Sequence, residues 1–348
     1  MKAEDRSSTN RRQFLAMTGG AVLGTALVGG CGATGGAGGG RRLRFAYEGP
    51  PETAQGIAAN LFKKKLESSS GGDLELALYP GAQLGGEPEL LQKIRAGDID
   101  FIISSTANAA QIAPQSGVFS LHYLFKNKDD AKNVVTDEAV NQAYRAMATK
   151  SVDGAQPLTL FTLPLRNFYA RFEVPDVQAI KGKKVRVQAT RTEDVTFKTY
   201  GAQTVHMSFT ELYTALQTGV VDLAENAVTY YGLNKHYEVG PTMSFSEHEG
   251  NVQVLWISEQ AWQELSGQER DWVTAAADEV RAKQPSAAFE LEAELKKKYA
   301  GMGVKFVEDV DKESFAKLSV PLQDRLAKEL GSEAEKILRL VRRVTGDS

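Results

Sequence analysis

The 348-residue chain is poor in the residues that carry most recognisable chemistry. It has one cysteine, so neither an intramolecular disulfide nor a cysteine-built metal site can form. None of its four histidines, His122, His206, His236 and His248, stands at HExxH or another ligand spacing. There is no G-x-S-x-G elbow, no Walker loop and no G-x-G-x-x-G after a strand. Gly85-Gly86-Glu87 lacks the Lys and Ser/Thr of a phosphate loop. An excess of one charge is lacking too: 41 Lys+Arg against 44 Asp+Glu leave −3, which argues against nucleic acid as the main partner. No cofactor or metal is called for. Carboxylate pairs suited to glycosidase work stay open, because sequence alone does not show which acids face each other across a cleft.

The composition, 42% hydrophobic and 24% charged, is ordinary for a globular protein, and the length suits two lobes. The N-terminus reads TNRRQFLAMTGGAVLGTALVGGCGATGGAGGG. Arg11-Arg12 precede a short, mildly apolar run that ends at Gly30 and is too short to span a bilayer. This is an export signal over residues 1–30, and Arg-Arg-x-Phe-Leu resembles the twin-arginine form, with Asn10 where Ser or Thr is usual. Val28-Gly29-Gly30-Cys31 resembles a lipobox, which makes Cys31 a lipidation site followed by a Gly-rich tether over 31–41. The alternative is a plain secretory signal with an incidental cysteine. The mature body is then expected to be soluble, monomeric and held at the outer face of the cytoplasmic membrane.

From Arg42 onward, strand and helix alternate. RLRFAY and DLELALY alternate as strands, with an amphipathic helix over Thr53 to Ser68 between them. A Pro/Gly loop, YPGAQLGGE, leads to a helix over Glu89 to Ala96 and a strand over Ile99 to Ser104. The same grammar returns with strands in RNFYAR, KKVRVQA and QTVHM, and a helix over Thr192 to Tyr200. ELLQKIRAGDIDF from Glu89 and ELYTALQTGVVDL from Glu211 align without gaps at the stopping glycines Gly97 and Gly219 and at Asp100 and Asp222. Ser208 and Glu211 form a capping box. The C-terminal third is helical from Gln260, apart from a last strand in GVKFVED. The fold class is α/β, two lobes with mixed, mostly parallel sheets flanked by helices, and ligand between them at the strand ends. Lobe 1 covers 42–165 with a return segment about 250–285, and lobe 2 covers 166–249 with C-terminal helices about 286–345.

The informative residues are polar ones where the pattern wants apolar ones. Arg186 lies between Val185 and Val187, and alternation places it on a face with Lys184 and Gln188. That leaves two readings, a solvent-facing edge arginine or a ligand contact. Arg166, in LPLRNFYARF, alternates too poorly for its direction to be read. An arginine at a strand end suits a carboxylate, because its planar fork donates two parallel hydrogen bonds. Glu225-Asn226 close a strand that should be apolar to its end.

YPGAQLGGEPELLQKIRAGDIDFIIS, KGKKVRV, GAQTVHMSFTELYTALQTGVVDLAEN and HYEVGPTMSFSEH together resemble the solute-binding subunit of TRAP-type (tripartite ATP-independent periplasmic) transporters, from about Phe45 to Phe315. The resemblance implies two lobes that close on an organic acid and deliver it to a permease with a small and a large membrane subunit. It implies that Arg186 grips the carboxylate, that Arg166 adds a second charged contact, and that Asn226 and Phe209 line the pocket. Glu87, Glu48 and the Ser104–Ser105 pair are candidates for hydroxyl contacts. After Asn226 the chain departs from the family with AVTYYGLNKHYEV, so Tyr230 and Tyr231 are expected to shape the pocket differently.

The function expected is an extracytoplasmic binding protein for a small organic acid. The Glu225-Asn226 ending and SEHEGNVQVLWIS point to a sugar acid, a uronate or aldonate, with C4-dicarboxylates, keto acids and aromatic acids as alternatives. A secreted enzyme acting on acidic sugars is the rival class. The binding subunit of a sensor or of an ATP-driven importer is a third reading.

Overall fold

The computed structural model describes residues 40–347. The export signal and Cys31 lie outside the described residues, and so does most of the tether. Nine strands form one sheet: β1 (Arg41–Ala46), β2 (Leu74–Tyr79), β3 (Phe101–Ser105), β4 (Ala155–Ala170), β5 (Lys184–Val187), β6 (Gln203–His206), β7 (Leu223–Asn226), β8 (Thr242–Ser258) and β9 (Lys305–Val307). Their order is β2-β1-β3-β8-β4-β7-β5-β6, with β9 on β8. The β1–β2, β1–β3, β5–β6, β5–β7 and β8–β9 pairs are parallel, and β3–β8, β4–β7 and β4–β8 are antiparallel.

The long antiparallel strands β4 and β8 run through the middle of this sheet and belong to both halves. The expected strand RNFYAR is only the last part of β4, which starts at Ala155. Nearly every β4 residue is buried, so the two-residue alternation that reveals a half-exposed strand is absent. The β4–β8 register breaks on either side of Arg166, which stands opposite Glu249. Glu247, just before that point, holds a positive φ of 44°, a conformation that costs a side-chain-bearing residue energy.

The repeated helix–Gly–strand units do equivalent work. Gly97 and Gly219 both take left-handed φ, 79° and 76°, where a Cβ would be strained. Asp100 then accepts a hydrogen bond from the Arg44 amide of β1 at 2.6 Å, and Asp222 accepts one from the Lys184 amide of β5 at 2.8 Å. Each unit delivers a strand, β3 or β7, between a parallel neighbour and a crossing strand. The carboxyl ends of these strands are Ser105 and Asn226.

A 35-residue helix, Gly267–Gly301, crosses the molecule with Pro285 inside it. It starts at a Ser266/Glu269 capping box, later than the expected Gln260, because Glu259–Glu264 forms a separate short helix. Gln284, one residue before the proline, is buried and donates to the Ala54 carbonyl at 3.1 Å, pinning this helix to the helix Ala54–Ser69. Among the described residues no helix is long and apolar enough to cross a membrane.

Candidate binding site

The eight expected site residues all border one small cavity of about 20 Å³ between the halves of the sheet. Glu48 follows β1, Glu87 opens the helix Glu87–Arg95, and Ser105 ends β3. From the other side come Arg166, Arg186, Asn226, Phe209 and Tyr230. A larger depression of about 530 Å³ beside Arg145 and Trp262 gathers no comparable set of buried charges.

Arg186 is 2% exposed. Its Nε and Nη2 both donate to the Met207 carbonyl, at 3.2 and 3.0 Å, and no carboxylate pairs with it among the described residues. The guanidinium carries five N–H groups, so Nη1 is left without a partner on a residue that borders the cavity. Phe209 covers one side, its ring centroid 5.8 Å from the Arg186 guanidinium carbon. Between solvent-facing and ligand-facing, the two readings alternation left open, burial decides against solvent.

Arg166 is equally buried but compensated. Its Nε and Nη2 embrace the Glu225 carboxylate, Nη2 also donates to the Glu225 carbonyl at 3.2 Å, and Glu249 Oε2 lies 3.6 Å from Nε. Burial alone would lower the Arg166 pKa, and the Glu225 charge more than reverses this, so the cation is held firmly. Glu225 is therefore the partner of Arg166 and does not border the cavity. Asn226 does border it. Its Oδ1 accepts from its own neighbour's amide, Ala227 N at 2.9 Å, and from Asn251 Nδ2 at 3.1 Å, which leaves its amide nitrogen as the group to offer.

The opposite wall is anionic and tightly bonded. Glu87 accepts at Oε2 from the Ser105 amide (2.8 Å), Ser105 Oγ (2.7 Å) and Asn108 Nδ2 (2.8 Å), and at Oε1 from Gln55 Nε2 (3.1 Å). Glu48 Oε1 accepts the Glu87 amide at 3.2 Å. Burial, and then the nearby Glu87 charge, push the Glu48 pKa up to about 8, so it is protonated and can donate at neutral pH. Tyr230 packs edge-on against Phe209 at 5.6 Å, and burial raises its hydroxyl pKa well above the usual value. Of the two serines considered, Ser105 faces the cavity. Ser104 points the other way and accepts from Trp256 Nε1 at 2.9 Å, as strand alternation requires.

Sequence reasoning missed Gln55, Asn108, Gln188, Asn251 and Gln253. A line of carboxamides joins the two walls. Asn251 bonds Asn226, Gln253 Nε2 donates to Asn251 Oδ1 at 2.9 Å, and Gln55 Nε2 donates to Gln253 Oε1 at 2.9 Å and on to Glu87. Gln188 Nε2 reaches from β5 to Ser105 Oγ on β3, 2.6 Å, and so bridges the halves. A signal for two of them was present: Asn251 and Gln253 alternate with valines in a run that is otherwise wholly apolar.

Two α/β halves sharing crossing strands, with a buried, unpaired guanidinium in the cavity between them, define a binding protein for an anionic solute. Residues 45–330 match the family described as bacterial extracellular solute-binding protein, family 7, and the chain belongs to that family. Its members are periplasmic proteins that bind small organic acids and work with membrane permease subunits. A solute-binding protein of Chromohalobacter salexigens is 30% identical over 80% of this chain and 83% of its own length. The sugar acid binding protein DctPAm of Advenella mimigardefordensis, solved with galactonate, superposes with a TM-score of 0.82 at 27% identity, covering 88% of this chain and 99% of its own. A TRAP periplasmic solute-binding protein of Chromohalobacter salexigens, solved with D-glucuronate, gives 0.80 at 27% identity, covering 87% and 99%.

Proposed function

We propose that this chain captures a sugar acid, an aldonate or uronate, and presents it to the permease without altering it. The observation that carries the reading is Arg186, a buried cation that borders the cavity with a neutral carbonyl as its partner. Leaving a charge buried and unpaired is costly, and a carboxylate set against the Nη1 edge removes that cost. Arg166 and Asn226 border the same cavity and add donors to it. Protonated Glu48, Ser105 and the carboxamides of Gln188, Asn251 and Gln253 offer the mixed donors and acceptors that several hydroxyls need. A C4-dicarboxylate would instead want a second cation facing its far end, and that wall holds Glu48 and Glu87. The galactonate and glucuronate bound by the two similar structures agree with this polarity.

The ligand would touch both halves and stabilise the closed form by those differential contacts, with the β4–β8 register break as the natural place to bend. We also infer that the mature protein is a monomer held to the membrane through a lipid on Cys31, a reading that rests on the N-terminal motif and is checked by the mass of its N-terminal peptide. The main test is a thermal-shift screen of aldonates, uronates, dicarboxylates, keto acids and aromatic acids, with product analysis of each mixture. Aldonates or uronates should raise the melting temperature most, with the acid recovered unchanged. A dicarboxylate giving the largest shift would overturn the substrate class, and conversion of the acid would overturn the binding role in favour of an enzyme.

A further inference from the structure

Next to Arg166, outside the cavity, a second cluster of buried polar groups is not used by the solute site. His122 is 1% exposed, His248 0% and Glu249 3%. His122 Nδ1 is hydrogen-bonded to the Tyr200 hydroxyl at 3.0 Å and His248 Nδ1 to Ser246 Oγ at 2.7 Å. In both rings the other nitrogen, Nε2, has no partner, and neither has Glu249 Oε2. His122 Nε2 lies 3.9 Å from Glu249 Oε2, His248 Nε2 lies 3.8 Å from Glu225 Oε2, and one ligand atom from each of His122, His248 and Glu249 falls within 4.8 Å of the other two. Each orphaned atom is a group that normally costs free energy to bury unsatisfied.

We propose that His122 Nε2, His248 Nε2 and Glu249 Oε2 form a binding site for a divalent metal ion of the Zn²⁺ class. Two imidazole nitrogens and one carboxylate oxygen are a donor set that Zn²⁺ accepts, leaving its fourth position open. The hydroxyls on the two Nδ1 atoms are the outer partners that fix a metal-binding imidazole and aim its free nitrogen. The rings are also held rigidly. Phe168 stacks on His248 with centroids 4.2 Å apart and planes 9° from parallel, and Phe197 meets His122 edge-on at 5.2 Å. Zinc–ligand bonds of about 2.0–2.2 Å put neighbouring donors roughly 3.4 Å apart, so the widest separation in the cluster has to contract by up to about 1.4 Å.

The charge of the region agrees. Glu193, Glu225 and Glu249 are buried together, and Arg166 is the guanidinium nearest to balancing them, with a smaller effect from Arg186. Arg166 Nε stands 3.6 Å from Glu249 Oε2, beyond hydrogen-bond reach, and its own bonds go to Glu225. A dication can therefore approach Glu249 without displacing the Arg166–Glu225 pair.

The test needs no organic acid, so its outcome is independent of the solute assignment. The chelator-stripped chain is titrated with Zn²⁺ alone, with metal content measured after desalting and with Co²⁺ as a spectroscopic substitute. One metal ion per chain is expected, with a melting temperature higher by roughly 5 °C when the metal exceeds its Kd a hundredfold. The Co²⁺ form should show the visible bands of a four- or five-coordinate site. Glu249→Gln, which keeps the shape and removes the charge, should weaken binding at least tenfold, as should His122→Gln, while His206→Gln on the surface should not. No retained metal and no Co²⁺ bands in the unaltered chain would overturn the site, whatever the variants do. Unchanged affinity in folded Glu249→Gln would overturn it as well.

Discussion

Arg186 has given up nearly all of its hydration and receives in return two hydrogen bonds to one carbonyl. Removing it should therefore cost the ligand its main counter-charge while relieving the unliganded protein of a buried cation. Arg186→Ala is expected to weaken galactonate or glucuronate binding by at least about two orders of magnitude, in line with about 3–5 kcal/mol for one partner of a desolvated pair. The melting temperature of the free protein should not fall in proportion. Arg186→Lys keeps the charge and loses the fork, and should still cost roughly tenfold. Calorimetry showing unchanged affinity for the alanine variant would remove Arg186 from the site. Alternation made this residue visible in the sequence but could not assign its surroundings. Lys184 and Gln188 share its face, yet Lys184 is exposed while Arg186 and Gln188 are buried, because the strand runs from solvent into the cleft. Periodicity names the face of a strand, and only the tertiary fold says what covers it.

Four residues of strand, Leu223–Asn226, carry two jobs on opposite faces: Asn226 borders the cavity, and Glu225 holds Arg166 from behind. Glu225→Gln would leave that guanidinium buried with Glu249 at 3.6 Å as its nearest remaining carboxylate. A loss of about 3 kcal/mol in urea unfolding is expected, with affinity for the acid also reduced because Arg166 is no longer held in place. A variant as stable as the parent would mean that Glu249 takes over the pairing. At this scale the elements with one wet face were legible. The helix beginning after Thr53, the stops at Gly97 and Gly219, and the Ser208/Glu211 capping box all stand where local chemistry placed them. The crossing strands β4 and β8 were not, since burial on both faces erases the contrast of a wet and a dry face, and the alternation of Asn251 and Gln253 with valines was the one trace of the polar residues that link the walls.

Glu48, just after β1, and Arg186, on β5, border the same cavity, and the buried Glu48 carboxyl should make the whole molecule sensitive to pH. Glu48 carries a proton up to about pH 8, whereas the ordinary value for a glutamate is 4.5. A folded-state pKa raised in this way means that the native state holds a proton the unfolded chain has released. The stability it contributes is full below about 4.5 and is lost as the pH rises to about 8. His236, lowered by burial to about 3 from 6.5, acts with the opposite sign, and its destabilising effect appears only below 6.5. Between pH 6.5 and 8 the unfolding midpoint of the metal-free protein should therefore fall, with Glu249 and Glu193 shifting the same way, and Glu48→Gln should make the fall shallower. Affinity should follow. A sugar carboxylate is ionised throughout this range, so each Glu48 that loses its proton adds a negative charge beside a bound anion and removes a hydrogen-bond donor. The Kd for galactonate or glucuronate should rise severalfold from pH 7 to 9 in the parent and stay nearly level in Glu48→Gln. A parent Kd that is flat across that interval would mean that Glu48 does not face the ligand.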